Sequence, residues 1–171
     1  MKEIVLVGTC HTVQIPGGKG AAEFCAFVET LCAQYGIKAI GEEYSEEALA
    51  EKDKTNSVCR DAANTLNVSH RYCDPGRDQR RALGVSQEND IKVTGWLNGW
   101  PQEKIEQEIS ASHSIREHYW RDQLASLDLW PALFICGAEH TQHFRSLLED
   151  TGYSVLVVAS DWEPLSKASQ N

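Results

Sequence analysis

The chain has 171 residues and sets 16 Lys and Arg against 25 Asp and Glu, a formal net charge of −9 with histidines neutral. That length is one domain's worth, residues 1–171, long enough to bury a real core. So acidic a balance argues against a general phosphate-backbone binder or a protein drawn to anionic membranes, since both rely on positive surface potential. Hydrophobic content of 42% and charged content of 24% are those of a folded domain, and no apolar run approaches the roughly 20 residues of a membrane helix. The opening Ile4-Val5-Leu6-Val7-Gly8 is too short for a signal peptide and reads as a first strand. The expectation is therefore a cytoplasmic protein with no nucleic-acid or membrane partner, a homo-oligomer being left open. In a reducing compartment the cysteines at 10, 25, 32, 59, 73 and 136 read as free thiols.

In chain order, Ile4 to Thr9 is β-rich and apolar on both faces, as a strand covered on both sides must be. Past Pro16-Gly17-Gly18, the residues Ala21, Phe24, Cys25, Val28, Leu31, Cys32 and Tyr35 recur at helical steps, and Gly36 ends the helix. Ile37 to Gly41 is a second strand, and 45–66 is helical in at least two pieces, with Ser45 as a cap. Val68 to Cys73 is a third strand, stopped by Asp74-Pro75-Gly76. From about 76 to 100 no clean period emerges, which predicts a long ordered loop or lid. Pro101 suits the first turn of a long helix to about Asp128. A fourth strand follows over Pro131 to Cys136, then a helix over Glu139 to Asp150 and a fifth strand from Tyr153 to Ala159. Strict alternation predicts a single three-layer α/β domain, a mostly parallel sheet flanked by helices, with its ligand site beyond the carboxyl ends of the strands.

The residues just after the strands are thus the ones that matter. The first strand ends Gly8-Thr9-Cys10-His11 and the fourth Gly137-Ala138-Glu139-His140, two Gly-x-x-His steps at one topological position. Glycine lets the backbone turn and approach closely, and the histidine can then point an imidazole into the crevice. The second strand ends Gly41-Glu42-Glu43, and neighbours on an extended chain point to opposite faces, so at most one glutamate faces a given pocket. Two imidazoles and a carboxylate suit a divalent transition metal such as Mn²⁺, Zn²⁺ or Fe²⁺, and a carboxylate not used as a ligand could be a general base. In the long helix, Ile109, His113, Arg116, Trp120, Leu124 and Leu127 form one stripe. An arginine in such a stripe needs an anionic partner, and the glutamates at the sheet rim are nearest by topology. Asp74 is a candidate third carboxylate or a turn former. Arg77, Arg80 and Arg81 read as a solvated charged loop, with contact to a phosphate or carboxylate of a small substrate as the alternative. Cys10 could serve as a thiolate nucleophile with His140 as its base.

The paired Gly-x-x-His steps, the acidic pair after the second strand and the Arg116-Glu117 helix step resemble the TraB/Tiki/pheromone-shutdown group, related more distantly to the erythromycin esterases and the haem-binding ChaN proteins. Most specific is the stretch from Leu133 through His140, followed by Leu147-Leu148 and Gly152-Tyr153. The resemblance touches both ends and the late helix but not residues 74–100. It implies a metal-dependent hydrolase acting on a small-molecule or peptide substrate, through a peptide or ester bond. It nominates His11 and His140 as metal ligands with Glu42 as the third, and Glu43 as catalytic base, the two glutamates being interchangeable at this stage. Arg116 would bind an anionic group or a developing oxyanion. Two alternatives stand beside it: a non-catalytic binder of haem or another small ligand through the same histidines, and a cysteine-dependent enzyme using Cys10.

Overall fold

The computed structural model describes residues 2–165. Five strands, β1 (Glu3–Thr9), β2 (Ala39–Glu42), β3 (Ser69–Tyr72), β4 (Ala132–Gly137) and β5 (Ser154–Trp162), form one parallel sheet in the order β3-β2-β4-β1-β5. The predicted α/β architecture is therefore the one observed. The two central strands β1 and β4 are almost wholly buried, which explains why their sequences are apolar on both faces.

The helices are α1 (Ala21–Tyr35), α2 (Glu46–Ala50), α3 (Val58–Leu66), α4 (Arg77–Leu83), α5 (Glu88–Leu97), α6 (Gln102–Ala125) and α7 (Thr141–Asp150). On one side of the sheet, Phe24, Val28 and Leu31 of α1 and Cys59, Ala62 and Ala63 of α3 meet Val5, Val7, Ile40, Leu133 and Ile135. On the other, Trp120 and Leu124 of α6 and Phe144 and Leu148 of α7 meet Ile4, Leu6, Ala39 and Phe134. Each such large side chain, fully buried, contributes about 1.5–3 kcal/mol. Gly36 closes α1 in the left-handed conformation and returns its amide to Cys32. Ser45 caps α2, accepting from the Ala48 amide at 3.2 Å.

The segment predicted as a long loop is two helices, α4 and α5. Neither shows a period because neither buries a continuous face: α4 has no buried residue, and α5 buries only Ile91 and Gly95. Without an apolar stripe, periodicity has nothing to report. Among the described residues no helix is long and apolar enough to cross a membrane.

Candidate active site

β1 and β4 lie side by side, and the chain leaves them in opposite directions, from β1 through α1 towards β2 and from β4 through α7 to β5. The crevice at the carboxyl ends of such a strand pair is where ligands bind in open α/β sheets. His11 follows β1 and His140 follows β4. Glu43 extends β2 by one residue, its amide donating to the Ile135 carbonyl at 2.8 Å. The two motif glycines have different tasks. A Cβ on Gly8 would collide with Thr141 Oγ1 and the Ser160 carbonyl, so Gly8 serves close packing of β1 against β5 and α7. The Gly137 amide donates to Glu43 Oε2 at 2.7 Å, so that glycine belongs to the site.

Glu43 is 5% exposed and is the hub of the cluster. Its Oε1 accepts from Arg116 Nη2 at 2.7 Å, with His140 Nε2 at 3.6 Å and His11 Nε2 at 3.9 Å. Arg116 is anchored in turn by Asp74, whose Oδ1 accepts from Arg116 Nε at 3.0 Å and Nη2 at 2.8 Å and from Trp120 Nε1 at 2.9 Å. Arg80 Nη2 donates to the other Asp74 oxygen. Burial works against the Arg116 charge, but Asp74 and then Glu43 outweigh it and hold its pKa above the ordinary value. Asp74 is thus an anchor for two guanidinium groups as well as the residue that ends β3. The expected partnership of Arg116 with the sheet-rim carboxylates is present as a direct ion pair to Glu43.

The two histidines near Glu43 differ in burial and in what orients them. His140 is 1% exposed, and its Nδ1 donates to Glu117 Oε1 at 2.8 Å, which leaves Nε2 as the lone-pair nitrogen, buried and without a partner. His11 Nδ1 instead lies 3.4 Å from the side-chain amide of Gln14, a contact whose direction follows the tautomer of the ring. Burial alone would lower the His140 pKa; the Glu117 bond and the Glu43 charge overcome it, and the value is raised. His113, whose ring centroid lies 4.4 Å from that of His140, is lowered, first by burial and then by the neighbouring His140 and Arg116 charges. A cavity of about 380 Å³ opens over the cluster, lined by His11, Glu43, His113, Arg116 and Glu139.

Glu42 is not brought to this cluster, which corrects its assignment as a ligand beside the two histidines. It lies on the α1 and α3 side of the sheet, fully buried, where Ser57 Oγ donates to its Oε1 and His70 Nε2 meets the same oxygen at 2.6 Å. The reason is strand parity: Glu42 shares a face with Ile40, Glu43 with Gly41. Glu117, singled out only through the helix step, holds His140 with one oxygen and meets His143 Nδ1 with the other. Cys10 accepts from Thr12 Oγ1 at 3.2 Å and packs against the α1-side core. No hydrogen bond joins it to His11 or His140 among the described residues. The Cys136 thiol is pushed well up by burial and then by Glu43.

His11, His140 and Glu43 are the donors a divalent cation would need. As placed they do not fit one: Glu43 Oε1 is occupied by a guanidinium, which repels a cation, and Oε2 by the Gly137 amide. Among the described residues no group of three or more His, Cys, Asp or Glu side chains is arranged to hold a metal ion. Sequence reasoning noted Arg80 and His70 without their partners and passed over His143. Arg80 lies on α4, which has no buried face, and the partners of His70 and His143 stand 28 and 26 residues away, beyond any local spacing signal. Compared with family models, curated proteins and solved structures, the chain has no match.

Proposed function

We propose that the chain is a hydrolase whose reacting centre is the His11–Glu43–His140 edge of the crevice. The observation that carries this reading is the buried Glu117–His140 pair, with an unpartnered Nε2 3.6 Å from Glu43. A buried imidazole oriented through one nitrogen by a carboxylate has the arrangement of a general base. In this scheme His140 Nε2 takes the proton of an attacking water, and Glu117 and Glu43 stabilise the imidazolium that forms. His11, whose side chain is 43% exposed, delivers a proton to the leaving group from Nε2. Arg116 spends Nε and Nη2 on Asp74 and Glu43 and, among the described residues, makes no hydrogen bond through Nη1, which suits that nitrogen to a developing oxyanion. The bond cleaved is of the ester or peptide class, and the resemblance to the TraB/Tiki group points the same way.

Purified chain assayed against a panel of activated esters and short peptides tests the reading. Turnover is expected in the wild type, reduced about 10²–10⁴-fold in His140→Ala. Turnover that His140→Ala leaves intact would overturn it. Activity that appears only with added Mn²⁺ or Zn²⁺, and is lost in both His11→Ala and His140→Ala, would instead support metal-assisted hydrolysis, with these side chains rearranged into ligands.

A further inference from the structure

Beside the His11–Glu43 edge lies a second, smaller cavity of about 160 Å³, lined by His11, Glu43 and Arg116 and also by Lys52 and Arg80. Arg80 is a wall common to three cavities: this one, the 380 Å³ space over the histidines, and a 690 Å³ groove running along α2 and α4. Lys52 lines the smallest and the largest. The three spaces therefore share walls that run from the reacting edge to a pair of cationic side chains.

The acids bordering the smallest cavity are already neutralised. Both Asp74 oxygens are engaged, by Arg116 and Trp120 on one and Arg80 on the other. Both Glu43 oxygens are engaged by Arg116 and the Gly137 amide. The larger groove keeps acids of its own: Glu51 accepts from the Arg77 guanidinium, Glu47 from the uncharged Arg77 backbone amide, and Asp90 lines the wall as well. The cations, by contrast, have donors to spare. Among the described residues Lys52 Nζ donates only to the Tyr44 hydroxyl, at 3.3 Å, and otherwise stands 5.6 Å from the Tyr44 ring. Arg80 Nε is a buried donor with no acceptor, an arrangement that costs free energy until an acceptor is supplied. On a chain of net charge −9, the smallest cavity, whose acids are engaged while ammonium and guanidinium N–H groups remain unspent, favours an anion.

We infer that the substrate carries an anionic oxygen group, a phosphate or a carboxylate, which seats at Lys52 and Arg80 and thereby positions the scissile bond at the His11–Glu43 edge. This rests on the hydrolytic reading for the second clause and on the cavity alone for the first. Lys52 and Arg80 are specificity residues in it, and the reacting atoms belong to the neighbouring cluster.

Equilibrium dialysis of the full chain against radiolabelled inorganic phosphate, with acetate as competitor, tests the anion site without requiring turnover. Saturable phosphate binding is expected, weakened roughly tenfold in Lys52→Met, whose side chain is at the surface, as befits the loss of one charge-assisted hydrogen bond. Arg80→Lys, which keeps a cation for Asp74 but removes Nε, is expected to weaken it similarly, and His140→Gln to leave it within about twofold. Competition by acetate at comparable concentration assigns a carboxylate; phosphate binding that acetate does not displace assigns a phosphate. Absence of saturable binding of either anion, or binding unchanged in Lys52→Met, would overturn the inference while leaving the hydrolytic reading to stand or fall on its own turnover assay.

Discussion

At the end of β2 the chain sends two adjacent glutamates to opposite sides of the sheet, and their surroundings differ in kind. Glu42 is 0% exposed on the side packed by α1 and α3, closed in by Ser57, His70 and the Cys59 thiol, which burial and then Glu42 push well up. Glu43 is 5% exposed on the side packed by α6, and it lines two of the cavities at the strand ends. Both are buried carboxylates with a histidine nearby. What separates them is access: Glu42 keeps its Oε2 buried without a partner and borders none of the cavities described above, whereas Glu43 lines two of them, beside a His140 Nε2 that is likewise unpartnered. A buried polar group, satisfied or not, therefore says little about chemistry by itself; one that also borders an open cavity says more.

The largest expected effect comes from removing the cation that tells the two sides apart. Arg116→Met leaves Glu43 and one side of Asp74 without their counter-charge, and breaking a buried pair in this way costs about 3–5 kcal/mol. Urea denaturation should show a loss of that size. A loss under 1 kcal/mol would mean that Arg80 and the Gly137 amide carry the two acids unaided, and the contrast between the glutamates would weaken. Next in size is a crossed pair of isosteric substitutions. Glu42→Gln should lower stability by about 1–3 kcal/mol, through mismatched buried hydrogen bonds, with turnover kept within about threefold. Glu43→Gln should lower turnover at least tenfold, because the imidazolium formed at His140 loses its stabilising charge, with a smaller loss of stability. Equal effects of both on turnover would break the comparison.

How much of this was legible beforehand follows from where the physics is local. The strands and α1 showed themselves because burial on both faces, or on one helical stripe, is written at spacings of a few residues. The α6 stripe delivered Arg116 and Trp120 together for the same reason, and with Arg116 the need for an acid. Alternation along β2 predicts one glutamate per side, but which side holds the site depends on where α6 packs, and that is a property of the whole topology. Glu117 meets His140 from 23 residues away, and Arg80 reaches Asp74 from a helix with no buried face. No periodicity encodes such partners: Glu117 stood out through the helix step and Arg80 as one of three arginines near α4, but what each of them meets emerges only from the assembled fold.

The smallest effect is a shift of pH dependence, and it probes the His140 side of the contrast alone. The folded-state pKa of His140 is raised above its ordinary value of about 6.5, burial being outweighed by Glu117 and Glu43. A group raised in this way adds stability that is fully present below the unfolded value and is lost as pH rises through the folded one. If His140 is the base, only its neutral form works, so kcat/KM must rise with pH through that same raised value. Glu117→Gln keeps an acceptor for Nδ1–H and removes the charge. It should move the acidic limb of kcat/KM downward by about one pH unit, the equivalent of 1.4 kcal/mol, and move the pH-dependent part of stability with it. Because Glu42 faces the other side of the sheet, Glu42→Gln should leave that limb in place. Coincident movement of both profiles in Glu117→Gln ties the titrating group to His140. A limb that stays fixed while stability moves would show that His140 titrates without serving as the base, and would hand the proton-accepting role to Glu43 or His11.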